Sequence, residues 1–155
     1  MLYCLGNIDL LHTPTIAVIG SRECTIYGKQ MAKQISKELV NNNITVVSGL
    51  AKGIDSYAHI GGIKQTIAIL GSGFNNIYPR ENIELAKEIV QNNGLLITEY
   101  ELNELPKPQN FPARNRIISA LSMGIIVVEA KLKSGCFITV DFALEEGKTV
   151  YAVPR

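Results

Sequence analysis

Apolar, β-branched runs recur along the chain at 15–19, 44–47, 66–70, 95–98, 125–129 and 149–153. Strands that alternate apolar and polar positions bury one face, whereas short, nearly all-apolar runs such as these suit strands buried on both faces of a parallel sheet. Between the runs the period lengthens to that of a helix. Met31, Ile35 and Leu39 repeat at four-residue spacing, and Leu85, Ala86, Ile89 and Val90 form a second stripe, so each segment has one core-facing side. Asparagines at 41–43 and Asn-Asn-Gly at 92–94 are suited to ending those helices. Six strands and about five helices in β-α-β order predict a single-domain, doubly wound, Rossmann-like α/β fold, mostly parallel, with helices on both sheet faces. Segment 101–112 departs from the rhythm, with three prolines and little periodicity, and reads as a surface loop. Residues 1–12 read as a lead-in that covers a sheet edge.

Composition narrows the class. The 155 residues allow one core, and 46% hydrophobic with 19% charged residues is ordinary globular composition. No apolar run approaches the ~18 to 20 residues of a membrane span, so a soluble chain is expected. The formal net charge of +1 excludes a protein that coats nucleic acid by bulk charge and requires any polyanion to meet a local patch. Cys4, Cys24 and Cys136 are scattered without a CxxC pair, and no secretory leader is recognisable, which fits a cytoplasmic location.

In a parallel sheet, ligands bind beyond the carboxyl ends of the strands. Four such junctions are rich in glycine and serine: Gly20-Ser21-Arg22, the 48–55 stretch with Ser48, Gly49, Lys52 and Gly53, then Gly71-Ser72-Gly73, and 131–135 ending in Ser134-Gly135. Glycine admits close approach of backbone N–H groups to an anion, and Arg22 and Lys52 add charge, so a phosphate-binding crevice is expected. The dinucleotide and P-loop variants do not fit. Gly20 lacks the following glycines of G-x-G-x-x-G, and Gly147-Lys148-Thr149 runs from a helix into a strand, where it reads as a helix C-cap with Lys148 a solvated flank. His12 and His59 have no partner at metal-ligand spacing and read as surface or packed side chains. Asp55 reads as a helix N-cap. Glu99, Glu101 and Glu129 follow strand ends, yet nothing pairs them into a catalytic set. No metal or cofactor is expected.

The densest segment is Phe111-Pro112-Ala113-Arg114-Asn115-Arg116-Ile117-Ile118. Pro112 suits a helix start, and arginines near the positive end of a helix dipole are better placed with an anion present. Phe111 and Lys107 add the aromatic platform and phosphate contact that single-strand binders combine, although Phe111 could equally staple the core.

Taken in order, GSR, SGLAKGID, GSGFNNIYPREN, FPARNRIISALS and SGCFITVDFALEEGKTVYAVP resemble the core domain of the bacterial DNA-processing protein A family (DprA, also called Smf) over nearly the whole chain. The resemblance implies a domain that binds single-stranded DNA, protects it during natural transformation, helps load the RecA recombinase and forms a homodimer. It implies that Arg22, Lys107, Phe111 and Arg114 grip the strand, with Asn115, Arg116 and Lys52 in the same set. Phosphates would lie on the Gly20, 49–53 and 71–73 loops, with Arg80 beside the pocket. The family's N-terminal helical domain and C-terminal winged helix do not fit in this length, and Arg155 stands where the family commonly has glycine. A competing resemblance, to the lysine-decarboxylase-like (LOG) nucleotide phosphoribohydrolases, fails at its PGGxGTxxE motif. Here 134–142 lacks the second glycine, Phe142 falls where the glutamate would be, and Asp141 is one residue away.

Overall fold

The computed structural model describes residues 1–131 and 134–154; Leu132 and Lys133 of the 131–135 junction, and Arg155, lie outside the described residues. The chain runs β1 (Tyr3–Gly6), β2 (Thr15–Gly20), α1 (Ile26–Asn41), β3 (Thr45–Ser48), α2 (Ile54–Gly61), β4 (Thr66–Ile69), α3 (Ile83–Gln91), β5 (Leu95–Thr98), α4 (Asn110–Leu121), β6 (Gly124–Glu129), α5 (Cys136–Glu145) and β7 (Thr149–Ala152). The strands form one seven-stranded sheet in the order β1-β5-β4-β3-β2-β6-β7. All neighbours are parallel except β1, which pairs antiparallel with β5, Tyr3 opposite Thr98. The expected six strands are therefore seven. Tyr3–Gly6 does cover the sheet edge, but as a strand whose four residues are all exposed, so it carries no buried apolar run.

Alternation along each strand divides the core into two layers. Ala17, Ile19, Val47, Ile67, Ile69 and Leu95 point to the side covered by Ile117 and Ile118 of α4 and Ala143 of α5. Val18 and Val46 point to the opposite side, against Ala32 of α1 and Ile54 and Ala58 of α2, while Ala68 and Leu96 meet Leu85 and Ile89 of α3. Helices on both faces follow from strands that are apolar at every position. Asn43 and Asn93, with φ of 61° and 62°, end α1 and α3 in the left-handed conformation, as their sequences predict.

Three local expectations change. Helix α4 starts at Asn110, so 110–112 is its first turn, where Pro112 lacks only an N–H that would have no partner. The N-cap of α2 is Gly53, and Asp55 lies inside the first turn with its carboxylate accepting from Gly49 N–H at 3.0 Å. Gly147 has φ 75° and closes α5, as expected of a C-cap, but Lys148 is no solvated flank. Its ammonium donates to the Ser119 and Ala120 carbonyls at the end of α4 and pairs with Glu146.

Candidate nucleic-acid interface

From β2 the chain steps outward through β3, β4 and β5, then returns to β6 on the other side of β2. The loops after β2 and β6 diverge at this reversal, the place where open α/β sheets hold ligands. A crevice of about 770 Å³ opens there, lined by Gly20, Ser21 and Arg22 after β2, Ser134 and Gly135 before α5, and Phe111, Arg114 and Asn115 of α4.

The Arg22 loop is held from three directions. Ser21 N–H donates to the Glu129 carbonyl at 2.7 Å, its hydroxyl accepts from Lys131 N–H at 3.1 Å, and its carbonyl accepts from Ile54 N–H at 3.2 Å. Gly53, with φ 79°, lies directly beneath the Ser21 and Arg22 carbonyls, where any Cβ would overlap them. The exposed Arg22 side chain has no ion pair among the described residues. Glu129 is fixed structure: its carboxylate accepts from Thr25 N–H at 2.7 Å and Thr25 Oγ1 at 2.6 Å, and Thr25 caps α1 by accepting from Gly28 N–H.

Arg114 forms the crevice floor. It is 5% exposed, and its guanidinium donates to the Gly49 carbonyl at 2.5 Å, the Ile69 carbonyl at 2.8 Å and Asn115 Oδ1 at 2.9 Å. Asp55 lies beside it. Burial pushes the Asp55 carboxyl up from its usual range, opposed by the Arg114 charge and by bonds from Gly49, Ser48 and Ala51. Burial also lowers the Arg114 pKa, opposed by Asp55. Beneath them His59 is fully buried, donating from Nδ1 to Thr66 Oγ1 at 2.7 Å while Nε2 accepts from Leu50 N–H at 3.2 Å. Thr66 gives its own proton to the Val46 carbonyl, which fixes this tautomer. Desolvation, with the Arg114 charge adding to it, drops the His59 pKa to about 3. His59 is thus packed, and His12 is exposed.

Part of the crevice lining is aromatic. Phe111 rests on Gly71, where a Cβ would press into its ring, and meets Tyr78 at 5.5 Å between centroids. Lys107 on the rim pairs with Glu104 at 3.1 Å, and Lys131 with Glu23 at 2.8 Å, holding the Glu23 carboxyl below its usual range. The Cys136 thiol, buried in the same lining, is pushed up by desolvation, which disfavours the thiolate.

A family model for DNA recombination-mediator protein A matches residues 1–155. The chain belongs to this family. DNA processing protein DprA of Streptococcus pneumoniae is 45% identical over 159 residues, covering 99% of this chain and 55% of the relative. Protein Smf of Escherichia coli is 42% identical, over 99% of this chain and 42% of its own length. The chain thus spans about half the length of the curated relatives it matches. The structure of DNA processing protein A from Helicobacter pylori, which concerns that protein's single-stranded DNA binding mode, superposes with a TM-score of 0.95 at 37% identity, covering 99% of this chain and 72% of that one.

Within this family fold, the residues expected to act together separate into two groups. Arg22, Lys107, Phe111, Arg114, Asn115, Gly20, Ser21, Ser134 and Gly135 converge on the crevice. Lys52 and Arg80 lie outside its lining, Lys52 in an ion pair with Glu81 at 2.9 Å and Arg80 exposed. Arg116 leaves the crevice altogether and pairs with Glu99. Two residues on, its side chain projects from another side of α4. Several expected phosphate contacts serve the scaffold. Ser48 Oγ donates to the Val18 carbonyl and Ser72 Oγ to the Asn76 carbonyl, Gly49 packs on Arg114, and Gly73 fits against the Glu101 and Leu102 carbonyls. Sequence reasoning missed Tyr78 and Lys131 as crevice residues; both lie inside motifs whose glycines and arginines drew the argument. No helix among the described residues is long and apolar enough to cross a membrane.

Proposed function

We propose that residues 1–155 form the Rossmann-like core of a DNA-processing protein that binds single-stranded DNA in this crevice with little sequence preference. The observation that carries the reading is that Arg22, exposed and without an ion pair among the described residues, lines the same crevice as the Phe111–Tyr78 aromatic pair. A single strand offers a phosphate for the first and a base face for the second. The binding mode named for the Helicobacter pylori relative supports the same ligand here. On this reading the chain shields incoming DNA in natural transformation, hands it to the RecA recombinase and works as a homodimer.

The reading makes the chain a binder and not an enzyme. Of the carboxylates near the crevice, Asp55 accepts from Gly49 N–H, Glu129 accepts from Thr25, and Glu23 pairs with Lys131. Fluorescence anisotropy with a labelled oligothymidylate tests the binding. The expected log affinity falls with log salt by ~0.7 per phosphate contact, and no binding at low salt would overturn the reading. Incubation with AMP or CMP is expected to release no base.

A further inference from the structure

Described lysines fall into two sets. Lys52, Lys87, Lys107, Lys131 and Lys148 each hold a carboxylate. Lys29, Lys33, Lys37 and Lys64 have none among the described residues, and all four lie on α1 or just after α2. An exposed helix ordinarily interleaves such lysines with acids at four-residue spacing, whereas Lys29, Lys33 and Lys37 repeat at that spacing and repel one another. Along the 16 residues of α1, Glu38 is the only acid. A row of like charges without counter-charges is best matched by a polyanion lying along it.

The row is continuous with the crevice. Gly53 packs under the Arg22 carbonyl, and Tyr57 follows one turn later in α2, its N–H donating back to Gly53. Lys29 and Lys33 lie over the Tyr57 ring at 4.7 and 5.4 Å from its centroid. Gly61 lets α2 meet the α1 backbone at Lys33, so the two helices present one surface. From Lys29 to Lys37 the helix advances ~12 Å, with a cation every ~6 Å. The α-carbons that carry these lysines are thus spaced like the phosphates of an extended strand.

We propose that Lys29, Lys33 and Lys37, with Tyr57 beneath the first two, form a second contact surface for the phosphate backbone of the same single strand as it leaves the crevice past Arg22. The inference rests on single-strand binding in the crevice. Short oligomers would fill the crevice alone, and longer ones would also engage α1.

Anisotropy with oligothymidylates of about 6 and about 30 nucleotides separates the two claims. For the unaltered chain, the longer oligomer is expected to show a log–log salt slope steeper by ~2, the release from three phosphate contacts. The triple variant Lys29→Gln, Lys33→Gln, Lys37→Gln should lose that difference and bind the long oligomer roughly tenfold more weakly, while its affinity for the short one is unchanged. The corresponding Lys→Arg triple should retain both. Should the triple variant fold poorly, Lys37→Gln alone, at an exposed position, is expected to lower the slope by ~0.7. Unchanged long-oligomer affinity and slope in the glutamine variants would overturn the inference and leave crevice binding intact. An equal loss for both oligomers would also overturn it. Failure of the unaltered chain to bind either oligomer would refute the crevice reading and this inference with it.

Discussion

Arg22 and Arg114 are the same side chain in opposite circumstances. Arg22 is exposed and has no ion pair among the described residues, whereas the Arg114 guanidinium spends its donors on Gly49, Ile69 and Asn115. Removing a buried charge that satisfies two backbone carbonyls leaves those acceptors unsatisfied and takes away the positive charge beside Asp55. Arg114→Ala is therefore expected to lower unfolding free energy by about 3 kcal/mol or more in urea titration, and Arg114→Lys should not restore it, because a point charge cannot fork between the carbonyls. Both arginines were readable as crevice residues from their motifs. Their division of labour was not, because burial is set by packing of α4 on β3 and β4, which no local pattern encodes.

His59 supplies a pH test. Its folded pKa of about 3 lies below the ordinary value of 6.5, so between these limits the unfolded chain binds the extra proton. Stability from neutral His59 is present above pH 6.5 and is lost as pH falls toward 3. Urea titrations across that window should show a slope of up to about 1.4 kcal/mol per pH unit from this residue, absent in His59→Gln.

Among the elements, strand-to-helix junctions decide the geometry. Glycine at these junctions was the strongest sequence signal for a site, and Gly20 and Gly135 do line the crevice. Gly53 shows the second use of such residues, seating α2 beneath the Arg22 loop with backbone against backbone. Sequence alone does not separate a glycine that faces a ligand from one that faces a carbonyl, because both need the missing Cβ. Gly53→Ala combines a disfavoured φ with overlap of the Arg22 carbonyl, and is expected to cost about 2 kcal/mol or more and to weaken single-strand binding. Thermal melting and anisotropy on the same variant check both effects. Strands β2 to β6 were legible because each is largely buried on both faces, whereas the run at 149–153, also expected to be buried on both, forms the edge strand β7 with three of its four residues exposed. Strand β1 was not legible, because its four residues are all exposed and its register comes from pairing with β5.

Over the whole molecule, a net charge of +1 conceals an uneven distribution. Among the described residues five lysines hold carboxylates, whereas Arg22 at the crevice, Lys29, Lys33 and Lys37 along α1, Lys64 after α2 and the exposed Arg80 hold none. The sheet order puts the Arg22 loop at the reversal beside β6, so topology and charge select the same place. Alternation of strands and helices made the class of fold readable, and the order of motifs made the family readable. Which cations stay unpaired emerges only once distant carboxylates such as Glu23, Glu81 and Glu99 are folded into place.

The most direct measurement is the affinity of Arg22→Ala for a labelled single-stranded oligonucleotide at low salt, alongside its thermal melting. Loss of one charged contact to a phosphate in a structured crevice should weaken binding at least about tenfold, at an unchanged melting temperature. Unaltered affinity in a fully folded Arg22→Ala would contradict single-strand binding through this crevice.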